Sequence, residues 1–189
     1  MIYATDTGTG NTLIDAYVKL YFDLPYDDDA KIASLGTVNS NLLKALKNND
    51  FFKKSFPKTT GPELFNLDYL SKAQKESNTE KLSHENILAT LCRFSAETIA
   101  EAIIAFNSNS KVIYASGGGV HNPLLMKNLK ELLPQFNFKK TDDLGISGDA
   151  KEAVLFATLA NEAVAGGRTN FGSRKGVPSV SMGKISFSY

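Results

Sequence analysis

The sequence is poor in the residues that build covalent or metal-bound frameworks. It contains one cysteine, Cys92, so an internal disulfide cannot form. One cysteine and two histidines cannot make a metal-ligand cluster by themselves. We therefore predict no metal site made by the protein alone, and any metal would be held mainly by oxygen ligands or by a substrate.

The sequence also lacks an excess of one charge and any long apolar run. With 21 basic and 20 acidic residues its net charge is +1, which gives no broad electrostatic reason to bind nucleic acid or an anionic membrane. No apolar run approaches the ~20 residues of a membrane span, and no basic segment followed by an apolar stretch marks a signal peptide. We expect a cytoplasmic protein, and 189 residues allow one sizeable core or two small lobes.

Helical spacing dominates the first half of the chain. Residues 11–24 place Leu13, Tyr17, Leu20 and Leu24 on one predicted helix face, with Asn11 as the N-cap and Pro25 as a stop. A shorter helix fits 39–49. Residues 50–82 are predicted as an ordered excursion with little regular structure that ends in a polar stretch at 71–82.

The strongest helix runs from Ser83 to Phe106, and its apolar stripe predicts a core helix. That stripe consists of Leu88, Leu91, Ser95, Ile99, Ala102 and Phe106, with Cys92 and Ile103 beside it.

The second half alternates strand and helix patterns. "KVIYAS" and "FNFKKTD" are predicted strands, and "NPLLMKNLKELLP" between them is a helix with Asn122 as N-cap and Pro123 in its first position. A long helix follows in "DAKEAVLFATLANEAVAG" and ends at Gly166 and Gly167. This order indicates an α/β unit with parallel strands. The remainder, 168–189, is rich in Gly and Ser and is predicted to be coil or an edge.

A glycine-rich turn follows the first predicted strand. In "SGGGVHNP", Gly117, Gly118 and Gly119 allow close approach of the backbone to a ligand, and the next helix directs its free amides to the turn. A nucleotide is a natural occupant. A tight strand-to-helix turn without a ligand is an equally good interpretation, because glycine-rich turns are weak motifs.

Two further stretches contain candidate chemistry. In "TDTGTGN", Asp6 is a candidate general base and the turn amides are candidate phosphate donors. Taken alone, this stretch favours the simpler interpretation that Asp6 and Thr7 only satisfy the amides of the turn. In "GDAKEAVLF", Asp149 and Glu152 have the spacing of a capping box, which requires no function. Cys92 is interpreted as packing, the two histidines as surface residues, and "FFKKSFPK" as a basic aromatic patch too short to indicate nucleic-acid binding.

Taken together, these stretches resemble the anhydro-N-acetylmuramic acid kinase family. The matching blocks are, in order, "DTGTGNTLIDAYV", "PKTTGPELFNLDYL", "FSAETIAEAI", "VIYASGGGVHNPLLMKNLKELLP", "TDDLGISGDAKEAVLFATLANEAVAGG" and "GVPSVSMG". They cover nearly the whole chain apart from 71–82 and the last few residues.

The resemblance implies the sugar kinase, Hsp70 and actin superfamily, in which two α/β lobes close over ATP. Family members take 1,6-anhydro-N-acetylmuramic acid, open its anhydro ring with water and phosphorylate the 6-hydroxyl, with Mg²⁺ between the phosphates. By the resemblance Asp6 is the catalytic base and Glu152 contacts the sugar. The same comparison assigns Gly117, Gly118, Gly119 and Asn122 to the nucleotide, and Thr7 and Asn11 to the substrate.

The chain departs from the family in length. Members are roughly twice as long, and their first lobe begins with a G-T-S-x-D-G turn that this sequence lacks. We therefore expect a single C-terminal lobe over 1–189, of the actin-like α/β class with extra helices. We divide it into a catalytic turn at 4–11, a helical excursion at 12–106, a nucleotide-side α/β unit at 111–167 and a tail at 168–189.

Three functional alternatives remain open from the sequence. The chain is part of an amino-sugar kinase that needs its N-terminal half, or an inactive fragment that binds nucleotide weakly, or a remnant that persists by self-association. Single substitutions accompany the difference in length: Thr9 replaces the proline that usually follows D-T-G, and Pro62 replaces the arginine of T-G-R-E.

Overall fold

Helices make up most of the residues that the structure describes. The computed structural model describes residues 4–106 and 109–166. Its helices are α1 (Thr12–Phe22), α2 (Ser40–Lys47), α3 (Asp50–Lys53), α4 (Leu67–Ser77), α5 (His84–Phe106), α6 (Pro123–Leu132) and α7 (Lys151–Val164), and its strands are β1 (Val112–Ala115) and β2 (Asn137–Lys140). The chain divides into two compact units, 1–139 and 140–189. The assignment of 1–189 to one kinase lobe stays a prediction.

Asparagine caps determine where α2, α3 and α4 begin. The Asn39 side chain accepts from the amides of Asn41 and Leu42, which confirms the helix predicted at 39–49. Asn49 and Asn66 cap α3 and α4 in the same way. The prediction of little regular structure over 50–82 is therefore wrong. The polar composition of α4 concealed a helix that buries only a narrow apolar face.

The long helix α5 lies at the centre of the first unit. It confirms the predicted core helix, and its buried residues lie almost all round it. One side packs against the core made with α1, α2 and α4, and the other packs through Ala96 against Leu125 and Leu129 of α6. The predicted stripe is wrong at its end, because Phe106 is 46% exposed.

The predicted apolar face of α1 needs a similar correction. Leu13 and Tyr17 are buried, but Leu20 and Leu24 are 59% and 45% exposed. Ile14 and Val18 are buried in their place. The buried face thus follows positions i, i+1, i+4 and i+5, and the helix ends at Phe22, before Leu24 and Pro25 are reached.

The α/β character predicted for the second half is present in a small parallel sheet. The two strands β1 and β2 are paired, and the Asn137 amide donates to the Lys111 carbonyl at 2.7 Å. Helix α6 connects them, and the Asn122 side chain caps it by accepting from the Leu125 amide at 2.9 Å, as predicted.

The described part of the second unit consists of a 3₁₀ segment, Thr141–Leu144, and α7. Helix α7 begins at Lys151 with Ala150 in the N-cap position, so the predicted capping box of Asp149 and Glu152 is wrong. Gly167 and the predicted tail at 168–189 lie outside the described residues. Within 4–106 and 109–166, no helix combines the length and apolar character needed to cross a membrane.

Candidate active site

The segment that contains Asp6 is held by a second segment, 58–60. The Asp6 amide donates to the Lys58 carbonyl at 2.9 Å, and the Lys58 amide donates to Thr5 Oγ1 at 2.9 Å. The Thr5 hydroxyl in turn lies 3.1 Å from the Lys58 carbonyl. These bonds fix the backbone of Asp6, which precedes Gly8 and Gly10 in the turn at 4–11.

The Asp6 carboxylate has two oxygens in different situations. Oδ2 accepts a hydrogen bond from the Thr60 amide at 2.9 Å. In the described part of the chain, Oδ1 makes no hydrogen bond, and the residue is half-buried. A carboxylate that is anchored through one oxygen and open at the other has the geometry that a general base requires.

The far side of the same turn is bound to α5. Ser95 Oγ, fully buried, donates to the Gly10 carbonyl at 2.6 Å and lies 2.9 Å from Thr9 Oγ1. Because the Ser95 proton is directed to Gly10, the Thr9 hydroxyl is the donor to Ser95. A Cβ at Gly8 would lie 2.8 Å from Thr98 Oγ1, so only glycine allows this approach to the helix.

Asn11 does not cap α1 as predicted. It occupies the N-cap position, but its φ of −87° and ψ of −13° are helical, and its side chain accepts no amide of the first turn. A capping side chain normally requires extended backbone at this position. Asn11 Oδ1 is instead buried without a hydrogen-bond partner in the described part of the chain.

A cavity of about 460 Å³ brings three of the predicted site residues together. Asn11, Gly118 and Asn122 line it. The other lining residues are Ile14, Asp15, Tyr26, Asp27, Asp28, Asp29 and His121. Burial raises the pKa of Asp15 above its usual value. The cavity is therefore rich in carboxylates and carboxamides, which accept hydrogen bonds from hydroxyl groups.

In the turn at Gly117, Gly118 and Gly119, one residue has a positive φ. Gly117 has a φ of +86°, a conformation that side chains disfavour. Gly118 to His121 then form a 3₁₀ segment that leads to Asn122. The Asn122 amide group donates toward Cys92 Sγ at 3.7 Å. Burial raises the pKa of Cys92 to about 12, and this hydrogen bond only partly opposes it, which agrees with a packing role.

Five predicted site residues are not among the lining residues of this cavity: Asp6, Gly117, Gly119, Thr7 and Glu152. Thr7 lines a separate cavity of about 340 Å³, whose other lining residues include Thr5, Ile103 and Phe136. Glu152 is exposed on α7, in the second unit. The roles assigned to Thr7 and Glu152 stay predictions.

Sequence reasoning missed the residues that support the turn. Thr60 holds the Asp6 carboxylate, Ser95 binds the Gly10 carbonyl, and Thr98 lies close against Gly8. Small polar residues inside the apolar pattern of α5 were the available signal for Ser95 and Thr98. Thr60 begins the motif that corresponds to T-G-R-E, but the motif indicated no contact with Asp6, because the backbone amide of Thr60 forms it.

The described residues do not fit a divalent cation held by the protein. Within 4–106 and 109–166, no three His, Cys, Asp or Glu side chains are arranged to hold a metal ion. Both carboxylate oxygens of Asp27, one of the cavity aspartates, already accept from the amides of Ile32 and Ala33. Asp28 is paired with Lys31.

Comparison with known proteins extends over nearly the whole chain. The family model for anhydro-N-acetylmuramic acid kinase matches residues 1–187. A relative from Pseudoalteromonas atlantica is 53% identical over 98% of this chain, and relatives from Vibrio cholerae and Salinibacter ruber are 40% and 36% identical over 85% and 93% of it. All three are named anhydro-N-acetylmuramic acid kinase, and the chain spans 48%, 43% and 45% of their lengths. This chain belongs to the anhydro-N-acetylmuramic acid kinase family.

Proposed function

We propose that this chain supplies the catalytic base and a nucleotide-binding turn to an ATP-dependent kinase of 1,6-anhydro-N-acetylmuramic acid. The observation that supports this most directly is the Asp6 carboxylate, anchored at Oδ2 by the Thr60 amide and without a partner at Oδ1 in the described residues. The base acts through Oδ1, while the bond at Oδ2 keeps the carboxylate oriented.

The reaction requires one proton acceptor. Asp6 takes a proton from water as the water oxygen bonds to the anomeric carbon of the sugar. The bond from that carbon to the 6-oxygen breaks, and the 6-oxygen bonds to the γ-phosphorus of ATP as ADP leaves. The products are N-acetylmuramic acid 6-phosphate and ADP, and the base loses its proton afterwards.

We assign ATP to the turn of Gly117, Gly118 and Gly119 and to Asn122. Gly118 and Asn122 also line the cavity. The carboxylates of that cavity suit the hydroxyl groups of a ribose and repel phosphates, so the phosphates extend away from them. Asn11, Thr7 and Glu152 are assigned to the amino sugar. Mg²⁺ enters as the partner of the ATP phosphates, because the described residues offer it no site of their own.

The relatives contain a further half that this chain does not span. We further propose that the chain acts together with that half of the kinase. Phosphoryl transfer needs groups from both sides of a closed cleft that excludes water. This assignment corresponds to the C-terminal lobe of an actin-like fold that works on cell-wall sugars in the cytoplasm.

The test is phosphorylation of 1,6-anhydro-N-acetylmuramic acid by ATP, measured by mass spectrometry of the sugar product. The chain is assayed alone and mixed with the other half of the Pseudoalteromonas atlantica relative. We expect product only from the mixture, and none with Asp6→Asn. Asp23→Asn is the matched control, because Asp23 is exposed with a φ of 55° that asparagine adopts readily. A folded mixture without product, or an active Asp6→Asn variant, contradicts the proposal.

A second candidate function is an association module without catalysis. Val112 and Tyr114 lie on the same face of β1 and are 38% and 43% exposed, and Ile104 near the end of α5 is 55% exposed. Exposed apolar side chains on a short strand favour pairing with another polypeptide. We propose that this polypeptide is the half of the kinase that the relatives contain beyond the matched region.

Sedimentation velocity over a range of concentrations tests this alternative. We expect the chain to bind the other half of the relative, and Tyr114→Ser to weaken binding. Leu35→Ser is the control, because Leu35 is 79% exposed outside the surface formed by Ile104, Val112 and Tyr114. If the two halves do not associate, the module function is wrong. If Tyr114→Ser and Leu35→Ser bind equally well, this surface is not the interface.

A further inference from the structure

The side chain of Lys58 is enclosed by aromatic rings. Its ammonium lies 4.5 Å from the centre of the Phe51 ring, 4.6 Å from that of Phe56 and 5.8 Å from that of Phe52. It also donates a hydrogen bond to the Phe51 carbonyl at 2.9 Å. An ammonium that lies over two ring faces, is within 6 Å of a third ring centre and donates to a carbonyl gains cation–π and hydrogen-bond energy together.

This anchor rests on a fixed support. Phe51 lies in α3 and is only 3% exposed, and its ring packs edge-on against Phe65 in the main core. Burial lowers the pKa of Lys58 below its usual value, Lys54 acts in the same direction, and the negative charge of Glu101 opposes them. The Lys58 side chain therefore ties its own backbone to the core.

The backbone of Lys58 leads directly to the candidate base. Its carbonyl accepts from the Asp6 amide at 2.9 Å, and two residues later the Thr60 amide donates to Asp6 Oδ2 at 2.9 Å. The segment 58–60 thus holds both the main chain and the carboxylate of Asp6. Any displacement of this segment alters the direction of Oδ1.

From this geometry we propose that Lys58 is a positioning residue that fixes the orientation of the Asp6 carboxylate. The inference rests on the role of Asp6 as the base proposed above. The Lys58 ammonium does not touch the reacting atoms; it acts through the Thr60 amide.

Amide hydrogen exchange measured by NMR on the whole chain tests the proposal without an activity assay. Lys58→Met is expected to accelerate exchange at the Asp6 and Thr60 amides by about tenfold, because both bonds depend on the anchored segment. Lys58→Arg, which keeps the charge and stacks on aromatic rings, is expected to stay within about threefold of the parent chain. Lys54→Met is the matched control, since Lys54 is exposed nearby and its side chain makes no hydrogen bond in the described residues.

The amides of Leu46 and Leu129, in α2 and α6, serve as references within the first unit. Faster exchange at Asp6 and Thr60 with unchanged references supports the proposal. Unchanged exchange at Asp6 and Thr60 overturns it. Equal acceleration at the references also overturns it, because Lys58 would then stabilise the whole unit rather than position Asp6.

Kinetics with the reconstituted kinase separate this inference from the proposed function. If the parent mixture is active, Lys58→Met is expected to lower kcat about tenfold with an unchanged KM for the sugar, and Lys58→Arg to restore kcat. An unchanged kcat overturns the positioning role. If the parent mixture itself is inactive while the exchange result is positive, the proposed reaction has failed and the anchoring of segment 58–60 by Lys58 stands.

Discussion

The hydroxyl of Ser95 is the most informative single group to remove, because it links the turn at 4–11 to α5. Ser95 is fully buried, donates to the Gly10 carbonyl at 2.6 Å and accepts from the Thr9 hydroxyl at 2.9 Å. The change Ser95→Ala deletes one oxygen and leaves the surrounding volume almost unchanged. It therefore tests the hydrogen bonds rather than the packing.

The expected loss of stability follows from the groups left behind. The change leaves the half-buried Gly10 carbonyl and the buried Thr9 hydroxyl without their partner, and a group of this kind costs about 1–3 kcal/mol. The Thr9 hydroxyl can turn to Gly10, but at 3.3 Å it replaces the lost bond only weakly. The higher helix propensity of alanine stabilises the folded chain by about 0.4 kcal/mol relative to serine. We expect Ser95→Ala to lower the free energy of unfolding by about 2 kcal/mol.

Urea unfolding followed by far-UV circular dichroism measures this loss. With an m value of about 2 kcal/mol/M, the midpoint falls by about 1 M and m stays constant. Ser71→Ala on α4 is the matched control, since Ser71 is half-buried and its hydroxyl has no hydrogen bond in the described residues. We expect this control to be neutral or slightly stabilising. A loss below about 0.5 kcal/mol for Ser95→Ala would refute the role given to its hydroxyl.

Three further predictions concern charge, reactivity and capping. Burial raises the pKa of Glu97, but hydrogen bonds from Lys47 and Arg93 outweigh burial and leave the pKa below 4.5. The contribution of Glu97 to stability is therefore present above pH 4.5 and is lost as the pH falls through the lower pKa of the folded state. Glu97→Gln should reduce the acid-induced loss of stability in unfolding curves, and an unchanged pH profile would contradict this. The Cys92 thiol should not react with an aromatic disulfide reagent at about pH 8 in the folded chain and should react fully in urea, whereas rapid reaction of the folded chain would contradict its burial. Asn122→Ala should lower the free energy of unfolding by about 1 kcal/mol, and Asn122→Asp, which keeps an acceptor for the Leu125 amide, should lower it less; equal losses in urea unfolding would show that the cap is not the cause.

Strong local signals made parts of the fold predictable. A long apolar pattern identified α5, and a capping asparagine followed by proline identified the start of α6. Helix α4 was missed because its energy comes from a cap at Asn66 and from two buried side chains, Leu70 and Ala73, among polar neighbours. A narrow buried face of this kind produces almost no periodic signal, so only its tertiary contacts reveal it.

The candidate site was predictable to the extent that it consists of side chains in contiguous motifs. Asp6 and the glycine turn follow from "TDTGTGN" and "SGGGVHNP". The Thr60 amide and the Lys58 ammonium could not be predicted, because their relation to Asp6 spans more than fifty residues and depends on backbone pairing. Asn11 shows the reverse case, in which a residue type favoured at N-caps adopts helical backbone and leaves its oxygen without a partner.

The two motifs of the site share one support. Helix α5 binds the turn at 4–11 through Ser95 and Gly10, and it meets the glycine-turn side through Cys92 and Asn122. Asn11 and Asn122 then line the same cavity. Because a buried helix is rigid over this short distance, the separation of the two motifs is a property of α5 and not of the loops that contain them. A substitution that shortens or bends α5 between residues 92 and 95 should therefore move one motif relative to the other, while substitutions in the loops should alter only the motif in which they lie.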